Sequence, residues 1–274
     1  MNKNYLFKIK LSMKALYAPI NVLKELCAKM PMKFSTEGIE CFSFDFNNAC
    51  GTTLHVPVDA YLESSFASGD TVVNCMVEMA RLHKVLKMGK SFQTVSLTMV
   101  QRDTLSVALH GENGTSESDI KVEAVEEQEW NVPGGDPLCE ITLPLVNKGT
   151  ASLCFEEAQK LAQFNQCVSL TTAGNKLTLF TAEGYRSSFQ INGDFGNKVK
   201  QMKPVVISFQ WAYLKVFKMC EKFAPVMTLT CYVPPTGVSG EEVERIDRPV
   251  AFRAIMPDTL TEMVFHMMPL IPDL

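Results

Sequence analysis

A chain of 274 residues, 46% of them hydrophobic, is long enough for two compact domains, each with its own core. Its 26 basic residues stand against 30 acidic ones, a net charge of -4, which excludes a generally basic nucleic-acid binder and confines any such contact to a local surface. Nine cysteines without a CxxC pair or a Cys/His cluster at zinc spacing leave no metal site and indicate reduced, buried thiols in an intracellular protein.

Near the N-terminus Lys3, Lys8, Lys10 and Lys14 interrupt the apolar residues, which argues against a signal peptide or a spanning helix. Tyr5, Phe7, Ile9, Leu11 and Met13 alternate with Lys8, Lys10 and Ser12, the period of a half-buried strand. Pro19 suits a first helical turn and Pro31 forbids continuation, so the spacing predicts a helix over 19–30 with Lys24 on its polar face. Extended segments follow at 39–46, 52–58 and 61–66.

The stretch 76–100 organises the rest. At 100° per residue Met79, Leu82 and Leu86 fall on one side, and Arg81, Lys84 and Lys87 on the other, a basic amphipathic helix. Gly89 is expected to end it in a left-handed conformation, after which 92–100 alternates as a strand. A second strand at 104–110 follows the polar turn Gln101-Arg102-Asp103, and Asn113-Gly114 marks another turn. Over 118–125, Ile120, Val122 and Ala124 alternate with Lys121 and Glu123, an edge strand.

From 126 to 138 the composition shifts to acid, Gly and Pro, the mark of a linker between a first domain, 1–125, and a second, 139–274. The second half then repeats the first: a strand at 138–146, a short helix at 155–164, and strands at 176–182 and 185–191, the last with Tyr185, Ser187 and Phe189 on one face. A second basic helix follows at 211–224, with Lys215, Lys218 and Lys222 at i, i+3 and i+7. Corresponding helices lie about 135 residues apart, the signature of an internal duplication. The fold class is α+β, two similar strand-rich domains with two helices each. A solvated outer face is the plain reading of one basic helix; a second copy argues for a shared partner.

Catalysis has little to stand on. His55, His83, His110 and His266 have no nearby carboxylate or nucleophile at catalytic spacing, and there is no phosphate loop, nucleotide fingerprint or other cofactor motif.

The order of the elements resembles the sliding clamp of eukaryotic and archaeal replication, the proliferating cell nuclear antigen (PCNA) family. The resemblance is carried by LKEL at 23–26, STEGIECFSFD at 35–45, ARLHKVLKMGKSFQTVSLTM at 80–99 with DTLSVAL at 103–109, Ser118-Asp119, and WNVP at 130–133. It continues in RPVAFRAI at 248–255 and MMPLIP at 267–272, so it spans nearly the whole chain. It implies a non-enzymatic homotrimeric ring around duplex DNA, acting as a polymerase processivity factor and docking platform, put in place by a clamp loader in the nucleus or at a viral replication site.

By this resemblance Lys24, Lys84, Lys87 and Lys218 or Lys222 match channel lysines, and helical geometry adds Arg81 and Lys215. Glu156 and Gln159 stand where the family tends to carry arginine, leaving Lys160 as the base on that face. The resemblance also implies that the strands holding Ile120, Val122 and Ala124, and Tyr185, Ser187 and Phe189, pair between subunits. It further implies a pocket for a hydrophobic clamp-binding peptide at Phe44, Asn48, Ala49, Trp130, Val132, Pro133, Ile246, Pro249, His266, Met268 and Pro269. The alternative within the fold is a subunit of a checkpoint-type heterotrimeric clamp or a non-ring viral processivity factor.

Overall fold

The computed structural model describes residues 5–45, 49–67, 72–89, 91–126, 137–145, 153, 155–157, 160, 167–173, 176–180, 185–190, 198–199, 205–232, 244–245 and 250–268. In chain order the first half forms β1 (Phe7–Ser12), α1 (Met13–Leu23), β2 (Lys29–Ser35), β3 (Gly38–Phe44), β4 (Cys50–Pro57), β5 (Tyr61–Phe66), β6 (Val72–Glu78), α2 (Met79–Met88), β7 (Thr94–Gln101), β8 (Thr104–Gly111), β9 (Gly114–Lys121) and β10 (Glu123–Ala124). The second half forms β11 (Pro137–Pro144), β12 (Cys167–Ala173), β13 (Lys176–Phe180), β14 (Arg186–Gln190), β15 (Lys198–Val199), β16 (Val205–Gln210), α3 (Trp211–Lys218), β17 (Val226–Tyr232), β18 (Glu244–Arg245), β19 (Val250–Ile255) and β20 (Glu262–Met267). Helical residues at 155–157 lie between β11 and β12.

Two compact units result: Met1–Phe46 with Thr52–Trp130 and Met256–Met263, and Asn47–Gly51 with Asn131–Ile255 and Val264–Leu274. In the first unit one sheet has the order β5-β1-β7-β8-β9, and a second run of strands has the order β10-β6-β2-β3-β4. In the second unit the corresponding orders are β15-β11-β17-β19-β20 and β18-β16-β12-β13-β14. Taken strand by strand the two units match, so the duplication legible in the sequence is a repeat of sheet order. One departure is that β10 runs antiparallel to β6, whereas β18 runs parallel to β16.

The first helix begins earlier than the prolines suggest. Ser12 caps it, its side chain accepting a hydrogen bond from the Ala15 N–H at 3.2 Å, and Pro19 lies inside the helix. Pro19 cannot donate to the carbonyl four residues back, but the helix is held by its buried face of Ala15, Leu16, Ile20 and Leu23. The chain then leaves it in tight turns, Glu25 N–H to Val22 O and Leu26 N–H to Leu23 O. Met30 and Pro31, expected in or at the end of the helix, belong instead to β2, opposite Val77 and Met76 of β6. The strand wins because Met30, Met32 and Phe34 alternate into the core.

The basic helix α2 forms as expected, but Gly89 closes it at φ -92°, not in the left-handed region. The glycine is required by space: a Cβ there would come 2.7 Å from Leu109 Cδ1. The strand expected over 118–125 is also two elements. β9 ends at Lys121, the Val122 N–H bonds to Asp103 O at 3.0 Å, and Glu123 and Ala124 pair with Met76 and Cys75 in the other run of strands. Alternation persists across such a switch, so periodicity alone could not reveal it.

In the first unit Phe7 of β1 stacks on Phe34 of β2, ring centroids 4.5 Å apart, joining the two runs of strands. Ile9, Leu11, Leu16, Leu82, Leu86, Leu97 and Val107 fill the space around them. In the second unit Phe217 of α3 is the hub, 4.8 Å from Phe252 and 4.6 Å from Phe265. Burying each such ring contributes about 1.5–3 kcal/mol.

Candidate functional site

Each basic helix follows directly on a strand, Glu78 to Met79 and Gln210 to Trp211, so its rotation about its own axis is set where it leaves the sheet. In α2 the buried residues are Met79, Leu82 and Leu86, and Arg81, Lys84 and Lys87 are exposed. Lys87, in the last turn, also complements the carbonyl end of the helix. α1 packs against α2 through Tyr17 and His83, whose rings stack at 5.7 Å and 17°. Burial lowers the His83 pKa first, then the nearby charges of Lys24 and Lys87. That coupling places both lysines beside one histidine at the helix seam, and His83 Nε2 is buried without a hydrogen-bond partner among the described residues.

The cations differ in what they face. Lys24, just past the end of α1, pairs with Glu25 at 2.6 Å, and Arg81 pairs with Glu78 at 2.8 Å. In the second unit Lys218 of α3 pairs with Glu156 at 2.8 Å across 62 residues of sequence. Lys160 pairs with Glu157, a hydrogen bond that holds the ammonium above its ordinary pKa, and Ser187 also donates to Glu157 at 3.3 Å. Lys84, Lys87 and Lys222 have no carboxylate partner among the described residues.

α3 ends at Lys218 and continues as the 3-10 turn Met219–Lys222. The tighter winding turns Lys222 off the stripe expected for it with Lys215 and Lys218. The Lys215 side chain lies outside the described residues.

Of the residues expected to hold a partner peptide, Phe44 is 40% exposed and rests edge-on against Phe42 at 5.1 Å. Met268 is 41% exposed, and its N–H bonds to Ala49 O at 2.9 Å. His266 is only 3% exposed, both ring nitrogens lack partners among the described residues, and burial lowers its pKa to about 4. Asn48, Trp130, Val132, Pro133, Ile246, Pro249 and Pro269 lie outside the described residues.

Of the expected interface strands, among the described residues β9 pairs only with β8 and ends its sheet, and β14 ends its run beside β13. Ile120 and Val122 are buried in their own unit, so along β9 the outward side chains are Glu117, Asp119 and Lys121, with Ala124 exposed beyond it. Tyr185 is exposed, Ser187 is engaged with Glu157, and the Phe189 side chain lies outside the described residues.

The solved structure of Proliferating Cellular Nuclear Antigen from Entamoeba histolytica superposes on 97% of this chain and 100% of its own, with a TM-score of 0.78 at 16% sequence identity. That likeness shows the clamp fold. Proliferating cell nuclear antigen 2 of Drosophila melanogaster is 24% identical over 205 residues, 72% of this chain and 76% of that protein.

The chain has the PCNA sliding-clamp fold.

No family model matches it. Within that clamp fold, Glu156 and Glu157 are the acidic residues that pair with two of the expected cations, Lys218 and Lys160. Glu157 and Lys160 are three apart on one helix, a spacing readable from sequence. The Glu156–Lys218 pair joins two helices and carried no local signal.

Proposed function

We propose that this clamp closes into a homotrimeric ring around duplex DNA, independent of sequence, and tethers a DNA polymerase so that each dissociation is followed by rebinding at high effective concentration. The observation that carries the reading is α2: one face is locked into the core by Met79, Leu82 and Leu86, and the other exposes Lys84 and Lys87 without carboxylate partners among the described residues. Such a face attracts phosphate while reading no bases. Ring closure is supported by β9 and β14, each an unpaired sheet edge in the described chain, which suit head-to-tail pairing between subunits.

In this reading the chain divides into clamp domains at 1–125 and 139–274 joined by the linker 126–138. Polymerase and other partners dock through a short hydrophobic clamp-binding peptide, a loader opens the ring, and the work is nuclear. Native mass by light scattering at several concentrations tests the assembly, with three chains per particle expected. A stable monomer or dimer would redirect the reading to a hetero-ring subunit or a non-ring processivity factor. Lys84→Glu with Lys87→Glu is expected to lower polymerase processivity without changing native mass; unaltered processivity would remove the DNA assignment.

A further inference from the structure

The eight cations expected to face DNA are not equivalent in what they pair with. In the first unit, Lys84 and Lys87 stand three residues apart on α2, exposed and without carboxylate partners among the described residues. In the second, Lys218 is held by Glu156 at 2.8 Å and Lys160 by Glu157. Glu157 is itself steadied by the Ser187 hydroxyl at 3.3 Å.

We propose that Glu156 and Glu157 are built-in counterions that hold Lys218 and Lys160 back from nucleic acid, leaving Lys84 and Lys87 of the first unit, with Lys222 of the second, to carry the attraction to phosphate. The inference rests on the DNA-encircling reading above. It deepens that reading by naming two acidic residues that set how weakly Lys218 and Lys160 hold DNA.

The physical basis is competition between two anions for one ammonium. A lysine that meets DNA from solution releases a condensed cation from the phosphate, and that release is the main source of sequence-independent affinity. A lysine already paired with a carboxylate must break that pair, and the vacated carboxylate then takes up a cation of its own, which cancels much of the gain. An exposed ion pair contributes only about 0–1 kcal/mol, so the exchange is not forbidden; it yields little. Weak holding at two of the cations suits a protein that must slide along DNA without being pinned.

Lys24 and Arg81 in the first unit are paired as well, with Glu25 and Glu78 of their own local segments, as Lys160 is with Glu157. The pairing of Lys218 is different in kind, because Glu156 comes from a separate helix and fixes the lysine from the side. Tertiary placement of that sort holds the acid in position whatever the lysine does.

The test is fluorescence anisotropy with a short linear duplex, onto which a closed ring can thread, across a salt series. Proteins compared are the unaltered chain, Glu156→Gln with Glu157→Gln, and Glu156→Gln alone, which leaves the Ser187 contact intact. The set is completed by the double glutamine variant carrying Lys160→Ala and Lys218→Ala, Lys84→Ala with Lys87→Ala, and Glu37→Gln with Asp59→Asn as a control of equal net charge. Each freed lysine is expected to steepen the logarithmic salt slope by about 0.9, and the double glutamine variant to bind several-fold more tightly at low salt, about tenfold at most. Adding Lys160→Ala and Lys218→Ala should abolish the gain, and the charge control should show little of it.

If Lys84→Ala with Lys87→Ala weakens binding while the glutamine variants leave affinity and slope unchanged, the counterion role is overturned and the DNA reading stands. A gain equal to that of the charge control, or one that survives removal of Lys160 and Lys218, overturns it too. If the loss of Lys84 and Lys87 has no effect, the DNA reading itself fails. Native mass and melting temperature of each variant confirm that assembly and fold are intact.

Discussion

Gly89 lies against Leu109: the turn that ends α2 passes so close to β8 that a Cβ would sit 2.7 Å from Leu109 Cδ1 and 3.3 Å from Cδ2. Leu109 is itself almost fully buried, so it has little room to withdraw. Gly89→Ala is therefore expected to cost about 1–3 kcal/mol in urea denaturation through overpacking. Shortening the neighbour with Leu109→Val in the same chain should recover part of that loss. If the two losses simply add, the constraint is backbone conformation rather than space, contrary to the φ of -92°.

His266 makes stability depend on acid. Burial lowers its folded pKa to about 4, against 6.5 ordinarily, so between those values the unfolded chain binds the proton and the folded chain does not. Stability from this residue is fully present above about pH 6.5 and is lost as pH falls toward 4, by up to about 3 kcal/mol. His266→Leu removes the linkage and two ring nitrogens that have no partner among the described residues. The difference in unfolding free energy between the two proteins should shift in favour of the variant as pH drops from 7 to 4.5; a constant difference would count against the assignment.

Leu260 carries a left-handed backbone, φ 54°, in the turn between β19 and β20, and is 58% exposed. The conformation costs a side-chain-bearing residue about 1–2 kcal/mol, and so exposed a leucine recovers little by burial. Leu260→Gly should raise stability by about 0.5–1 kcal/mol after the greater freedom of glycine in the unfolded chain is subtracted. A lower melting temperature would mean that the leucine side chain contributes more than its exposure implies.

Ser12 is the device that starts α1. Loss of its side-chain acceptor in Ser12→Ala should cost about 1 kcal/mol, whereas Ser12→Asp should retain most of the stability because aspartate caps equally well. Equal stability of all three proteins in thermal unfolding would show that packing of the helix face alone sets its start.

These residues also mark how far the site and fold could be read from sequence. The amphipathic face of α2 is local information: Met79, Leu82 and Leu86 recur at helical spacing, and they bury, leaving Lys84 and Lys87 outside. The hairpins around 101–103 and 112–113 were equally local, marked by turn residues between alternating runs. β6 was missed because Val72 to Glu78 flows without a break into α2, and no turn residue announces the boundary. Pro19 misled for a related reason: a breaker's local preference was overridden by a cap seven residues earlier and by burial of the helix face.

By itself the sequence determined the internal repeat, the two basic helices and their place on strand-rich domains, because periodicity and turn chemistry act between residues a few positions apart. Tertiary structure alone decided that β9 gives way to β10 in another run of strands, that Gly89 is needed for room rather than for a left-handed turn, and which lysines stand open. Lys218 shows the reason most plainly. Its partner Glu156 lies 62 residues away, and an ion pair between two helices exists only once packing has brought their faces together.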